Sequence, residues 1–348
     1  MTTTITPMER TIAAVSLRQS DRVPVLPWYA AWAAGLIGAS IRQHDTDPYV
    51  MAKAQIAAYK ELAQDGVITN IGAIVEPSAV GCPVSQEENR EAKIEEYIIN
   101  DLKDIEKLKV PDPEEDGYMP VVLNATRILH KEFKNDVPIW TSADTPWQMA
   151  MNIRGPKNMI YDTYDNPSLV YELLEFCYKV MCIWVEALIK AGAYVVLMGD
   201  AMSSLNLISP SIYRQWSWPY QLAMVRRIHS LGALCQLHIC GDVTEIVYLE
   251  ALTGADVICI DYQVDMNYAK NKIGSFSCLM GNVDPTGVML MQGPDIIDEE
   301  CRSIIEKAAQ GGGLILSSGC DIPPGTPLEN VRAMVMAAQK YGSYPIEV

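Results

Sequence analysis

Eight short, near-continuous apolar runs recur along the chain, each ending on or beside a polar residue or a turn-former: Arg22–Pro27, Gly66–Gly72, Val137–Ala143, Ala193–Asp200, Leu234–Cys240, Ala255–Tyr262, Ser277–Asp284 and Gly313–Asp321. Hydrophobicity without alternation suits parallel strands buried on both faces. The segments between them carry helix-start chemistry. Thr6-Pro7-Met8-Glu9 reads as a capping box with proline at the first helical position, and Asp47-Pro48, Asn166-Pro167 and Ser209-Pro210 repeat the cap-then-proline pattern. Leu169–Lys190 and Ile212–Ser230 have the apolar spacing of amphipathic helices.

Strands alternating with helices define an α/β protein, and eight of them predict a (β/α)8 TIM barrel rather than a doubly wound sheet. A dinucleotide-binding sheet would carry a glycine-rich turn opening a helix after an early strand. Here Gly311-Gly312-Gly313 precedes a strand instead. The expected architecture is a single barrel over residues 1–348 with N-terminal additions. About 64 residues separate the second run from the third, so a segment inserted there, residues 82–130, is expected to pack on the barrel as a cap.

Composition narrows the partners. With 27 Lys+Arg against 43 Asp+Glu the net charge is −16, and no basic run offers the clustered cations that nucleic acid needs. Val180 to Met198, the most apolar stretch, is broken by Glu186 and Lys190 and makes a poor bilayer span. The Met1–Thr6 start lacks the basic and apolar regions of a secretion signal, so a cytoplasmic protein without membrane attachment is expected. Nine scattered cysteines do not form a disulfide framework.

The ends of the runs concentrate the chemistry. Asp200, His238 with Cys240, Asp261, Asn282 with Asp284, and Cys320 all fall at or just past a strand's C-terminal end, where barrel enzymes place their active sites. His238 and Cys240, two apart on a strand, point the same way. Barrel closure brings Cys320 at the top of the last strand within their reach. Two thiolates and an imidazole make a three-ligand zinc site with an open fourth position. Spacing alone leaves ordinary core cysteines and a core histidine as an equal alternative; two strand ends of one barrel favour the metal.

Several further motifs accompany this trio: Asp21-Arg22-Val23-Pro24-Val25, Gly199-Asp200-Ala201-Met202-Ser203-Ser204, Ile208-Ser209-Pro210 with Trp218-Pro219-Tyr220, and Gly281-Asn282-Val283-Asp284-Pro285. With His238-Ile239-Cys240-Gly241 and Gly319-Cys320-Asp321-Ile322-Pro323-Pro324 followed by Thr326-Pro327-Leu328-Glu329-Asn330-Val331, the chain resembles the uroporphyrinogen decarboxylase superfamily along nearly its whole length. Within it, the His-x-Cys and late Gly-Cys resemble the zinc-dependent methyltransferases that work with corrinoid proteins. That resemblance implies the barrel, a Zn2+ on His238, Cys240 and Cys320, and methyl transfer between a small substrate and a corrinoid. The family's decarboxylases carry an Arg-Gln-Ala-Gly-Arg segment after the first strand to hold a polycarboxylate. This chain has Trp28-Tyr29-Ala30-Ala31-Trp32-Ala33-Ala34-Gly35 there, so the decarboxylase activity is not expected. The Asp-x-His-x-x-Gly signature of cobalt-ligating modules is absent, which places the cobalamin on a partner protein.

The direction of transfer turns on the neighbours. Trp28, Tyr29 and Trp32 after the first run, with Trp140, Trp147, Met149 and Met151 around the third, would form an aromatic and thioether mouth and favour O-demethylation of a methoxyaromatic compound. The alternatives are a methylcorrinoid-to-thiol (coenzyme M-like) or pterin methyltransferase, or a non-catalytic zinc-bearing partner of the corrinoid protein. A sulfonated thiol would want a cation, for which Arg154 is the nearby candidate. Asp200 is the expected polar residue beside the metal, either orienting His238 or protonating a leaving oxygen. Asp261 is a weaker candidate, and Asp284-Pro285 reads first as a helix cap. Tyr220, Tyr262 and Gln263 are further candidate substrate contacts. His44, His130 and His229 read as surface residues, and Cys235, on the opposite side of its strand from His238, reads as core, as do Cys82, Cys177, Cys182, Cys259, Cys278 and Cys301.

Overall fold

A computed structural model describes residues 5–346. Met1–Thr4, part of the start that bears on a secretion signal, lie outside the described residues.

Seven strands form one parallel sheet: β1 (Val67–Thr69), β4 (Ile139–Asp144), β5 (Val195–Gly199), β6 (Leu234–His238), β7 (Val257–Cys259), β8 (Cys278–Val283) and β9 (Leu314–Ser318), in that spatial order. Between β1 and β4 the two-residue strands β2 (Val84–Ser85) and β3 (Lys93–Ile94) pair antiparallel as a separate hairpin. The curled sheet and its surrounding helices have the TIM-barrel architecture.

The first apolar run, expected as the eighth strand, is not a regular strand. It lies between β9 and β1 and closes the ring with single contacts: a parallel bridge from Val25 to Leu316, the Leu26 amide on the Leu316 carbonyl, the Leu316 amide on the Pro24 carbonyl, and the Asp65 amide on the Val25 carbonyl. Pro24 and Pro27 have no amide hydrogen to give to a ladder, which is why the run cannot extend as a strand. Side chains supply what the ladder lacks. The buried Asp65 carboxylate accepts the Val25 amide at 2.7 Å and pairs with both Arg10 and Arg22.

The alternation of each strand divides the core in two. Inside the ring Leu26, Trp28, Ile68, Trp140, Leu197 and Ile315 pack together. Between ring and helices a larger cluster takes the opposite faces, with Cys235, Trp147, Met149 and Trp184 among its members. All nine cysteines are free.

Capping chemistry starts helices where the sequence places it in three cases of four. Thr6 and Glu9 form the capping box of Pro7–Val15, Asp47 caps Pro48–Leu62, and Ser209 accepts the Ile212 amide. Asn166 precedes the Pro167–Ala191 helix without a side-chain cap. Asp284 accepts the Thr286 and Gly287 amides and so braces a turn, not a helix. The inserted region contains the β2–β3 hairpin and a short helix, Leu102–Lys107, capped by Asp101. The next helix, Met119–Phe133, packs on β1, β4 and their flanking helices as a barrel helix does. Among the described residues no helix is long and apolar enough to cross a membrane.

Candidate metal centre

His238 is the last residue of β6, Cys240 lies two beyond it, and Cys320 lies two beyond the end of β9. The sequence expectation kept Cys240 and Cys320 on the strands. Instead both sit in the loops just above, half-buried, while His238 is 2% exposed. Cys240 Sγ is 3.3 Å from His238 Nε2 and 3.9 Å from Cys320 Sγ, and the three donor atoms lie within 4.8 Å of one another.

Two glycines make this approach sterically feasible. Gly241 has φ +88°, a conformation that side-chain-bearing residues avoid, and a Cβ there would press on Ser204 and Asn206 of the loop above β5. At Gly319 a Cβ would stand 2.5 Å from the Tyr262 amide nitrogen. The tops of β9 and β7 therefore meet only through glycine, and Cys320 is aimed by that contact. Gly319→Ala is expected to lower metal affinity by about 10–100-fold, the range for disturbed ligand support, while the far-ultraviolet spectrum is preserved. Titration with zinc against a chromophoric chelator measures it; unchanged affinity would show that the contact does not aim Cys320.

His238 Nδ1 lies 3.3 Å from the Cys259 carbonyl oxygen. With the proton on Nδ1 and donated to that carbonyl, Nε2 keeps a lone pair turned to the cysteines. The Trp28 indole meets the imidazole edge-on, centroids 4.7 Å apart. The contact with Cys240, then burial, pushes the Cys320 thiol well above its ordinary range. A divalent cation reverses that cost by stabilising the thiolates. The separations fit as well: tetrahedral zinc with its usual bond lengths puts two sulfurs about 3.8 Å apart and a nitrogen and a sulfur about 3.5 Å apart.

Asp200 is fully buried after β5, but it does not orient the imidazole, because both ring nitrogens have other partners. Its backbone amide donates to the His238 carbonyl at 2.9 Å. Its carboxylate Oδ2 accepts Ser217 Oγ at 2.8 Å and Gln221 Nε2 at 2.7 Å. Ser217 closes a π-helical turn, Tyr213–Ser217, that interrupts the helix expected over Ile212–Ser230. Such turns re-aim side chains within a helix and are frequent at functional sites. Burial raises the Asp200 carboxyl above the ordinary carboxylate range.

Sequence reasoning missed three buried acids near Asp200. Asp144 ends β4, Glu76 lies in the Val75–Ala79 helix, and Glu250 lies in the Val247–Ala251 helix. Glu76 Oε1 accepts the Asp144 amide at 2.9 Å. Burial raises Asp144 well above the usual range, with Glu76 and Asp200 adding repulsion, and lifts Glu76 to about 7 and Glu250 to about 8. The polar-strand-end rule marks Asp144 once the third run is extended by one residue. No sequence signal marks the two glutamates. A carboxyl raised in the folded state contributes stability that is complete below its unfolded value, near 4.5, and is lost as pH rises through the folded value, near 7. Thermal midpoints are expected to fall between pH 5 and pH 8, less steeply in Glu76→Gln than in the wild type. Parallel slopes would exclude Glu76 as the titrating group.

The aromatic mouth does not form. Trp140 points into the barrel core, and Trp147 and Met149 pack between ring and helices. Tyr29 is buried and bonded to Gln64, and Trp32 is buried with Nε1 donating to the Thr326 carbonyl at 2.8 Å. Of these aromatic residues, Trp28 packs against His238. Tyr262 is 45% exposed above β7, whereas Tyr220 bonds to Glu175 on the helical exterior. Asp261 accepts the Gln263 amide and braces a turn. Arg154 is not free for a sulfonate. It pairs with Asp162 at 2.7 Å and donates to the Ile99 and Asn100 carbonyls, clamping the inserted region. His44, expected at the surface, is fully buried against Asp45. His130 and His229 are exposed as expected, and His229 pairs with Asp256.

A TIM barrel whose mouth gathers one imidazole and two thiols carries a donor set that could hold a metal ion. The uroporphyrinogen decarboxylase (URO-D) family model matches residues 6–341, and the chain belongs to that family. The methylcobamide:CoM methyltransferase MtbA of Methanosarcina acetivorans is 26% identical over 343 residues, covering 97% of this chain and 99% of the relative. The methylcobamide:CoM methyltransferase MtaA of Methanosarcina barkeri is 28% identical over 338 residues, covering 95% and 97%. A solved structure described as a methyltransferase from Methanosarcina mazei superposes with a TM-score of 0.89 at 28% identity, covering 97% of this chain and 99% of that one.

Proposed function

We propose that the chain moves a methyl group from a corrinoid carried by a separate protein to the sulfur of a small thiol, using a zinc ion held by His238, Cys240 and Cys320. The donor spacing of the trio, 3.3 and 3.9 Å, is the observation that carries this reading. Bound there, zinc would supply the Lewis acidity that keeps a thiol ionised at neutral pH. The protein's own contributions follow from the geometry. The Cys259 carbonyl holds the His238 tautomer, and Trp28 walls the imidazole from solvent on one side. Asp200 ties the top of β5 to the top of β6 and acts as a positioning residue.

The relatives named as CoM methyltransferases act on a thiol, which favours this direction over O-demethylation. Burial of Trp140, Trp147 and Met149 removes the aromatic wall on which the methoxyaromatic reading rested. The test incubates zinc-loaded protein with methylcobalamin and a panel of thiols and tetrahydropterins, following loss of the methylcobalamin spectrum and formation of the thioether. Thioether formation supports the reading and excludes a non-catalytic scaffold. Inert thiols together with demethylation of a methoxyarene by a reduced corrinoid protein would overturn it.

A further inference from the structure

The two sulfurs of the trio belong to residues 80 positions apart, Cys240 above β6 and Cys320 above β9, and they stand 3.9 Å from one another. Neither residue lies in a strand, and each is next to a glycine, Gly241 or Gly319. A disulfide needs about 2.05 Å between sulfurs, an approach within reach of side-chain rotation at both residues without breaking the sheet. These are also cysteines that a dissolved oxidant reaches. Both are half-buried, whereas Cys82, Cys177, Cys235, Cys259, Cys278 and Cys301 are buried. Cys182, the remaining half-buried one, lies on the Pro167–Ala191 helix, away from the trio.

Two accessible thiols in contact have a second chemistry besides holding a cation. Susceptibility to oxidation follows exposure, and a sulfenic acid formed beside a second thiol condenses with it to a disulfide. The two fates exclude one another. Cysteine ligates a metal as the thiolate, and a sulfur tied up in a disulfide has no negative charge to offer. His238 alone would then remain of the three donors.

We propose that Cys240 and Cys320 are a reversible oxidation site: in the metal-free chain a hydroperoxide converts them to a disulfide, which keeps metal off the trio until a reducing thiol reopens it. The inference rests on the metal reading given above and not on the direction of methyl transfer. In the first step one cysteine sulfur bonds to the terminal oxygen of the hydroperoxide, the O–O bond breaks, and an alcohol leaves (water, for hydrogen peroxide). In the second step the other sulfur attacks the sulfenic acid so formed, the S–S bond replaces the S–O bond, and water leaves. Each sulfur gives up one electron, the peroxide takes both, and the two thiol hydrogens finish in the alcohol and the water.

Peptide mapping tests the site without any turnover. The full-length chain, either zinc-loaded or stripped with a chelator, is treated with hydrogen peroxide. Free thiols are then alkylated, and a non-reducing digest is read by mass spectrometry. The stripped chain is expected to lose two alkylatable thiols, to yield one linked pair of peptides carrying Cys240 and Cys320, and to run at the mass of a single chain on a non-reducing gel. The zinc-loaded chain should keep both thiols under the same treatment. Once oxidised, the protein should take up no zinc in competition with a chromophoric chelator, and dithiothreitol should restore the uptake. Cys182→Ser should leave the linked pair unchanged, while Cys320→Ser should abolish it with the circular dichroism of the wild type retained. Full alkylation of Cys240 and Cys320 after peroxide, a link through Cys182 or Cys259 in their place, or a sulfinic acid on either residue without a link would each overturn the proposal. Equal loss of thiols with and without zinc would overturn it as well. A fully reduced chain that takes up no zinc would instead sink the metal reading, and the competition with it, before any oxidant is added.

Discussion

Replacing Cys320 with alanine is expected to strip the zinc from the purified protein. Wild-type chain should carry about one zinc, read by inductively coupled plasma mass spectrometry, because Cys240 already stands at near-tetrahedral separations from His238 and Cys320 and all three donors lie within 4.8 Å of one another. Zinc held by four ligands is bound by about 10–16 kcal/mol, so one ligand's share is about 3–4 kcal/mol, or a few hundredfold in affinity. The variant keeps an imidazole and one thiol and should lose its ion during dialysis against a weak chelator. Cys320 is half-buried in a loop, so the fold should survive, which near-ultraviolet circular dichroism would show. A variant that retains its full zinc would remove Cys320 from the site and make the trio a packing arrangement.

The largest stability loss is expected at Asp65, far from any chemistry. One buried carboxylate holds Arg10, Arg22 and the Val25 amide, and these contacts fasten the proline-broken first run to the ring. Asp65→Ala would leave Arg22 without its carboxylate partner and Arg10 with Asp21 alone, beside the core. Removing one member of a buried ion pair costs about 3–5 kcal/mol. For a chain of 348 residues that amounts to a fall of about 4–7 °C in thermal midpoint. A drop below 1 °C would mean that the backbone bridges at Val25 and Leu26 suffice to close the barrel.

Periodicity and strand-end polarity made the ring and the metal trio legible, because both depend on local pattern: unbroken apolar runs for buried parallel strands, and His238 with Cys240 two residues apart. The first run misled, since its apolar character predicts a strand while Pro24 and Pro27 deny it the hydrogen bonds. The aromatic residues misled for a related reason. Trp140, Trp147 and Met149 sit close in sequence to a strand top, but strand alternation and helix phase send them to two different cores. His44 reads as surface because a lone polar residue in a short helix normally is, and nothing in its local pattern marks that the ring is buried and paired with Asp45. Glu76 and Glu250 carry no sequence mark at all, since their burial depends on which helix face meets the ring.

Cys240 and Cys320 are separated by 80 positions along the chain yet stand 3.9 Å apart. An ion that joins them is a cross-link as well as a reagent. In the chain-entropy treatment used for disulfides, closing a loop of that length restricts the unfolded chain by about 4.5 kcal/mol. The closed loop includes β7, β8 and β9, so the loaded ion would staple the C-terminal strands of the ring to β6. Loss of metal would then be felt first as earlier melting of that third of the barrel, and the cell's zinc supply would set the lifetime of the protein as well as its activity.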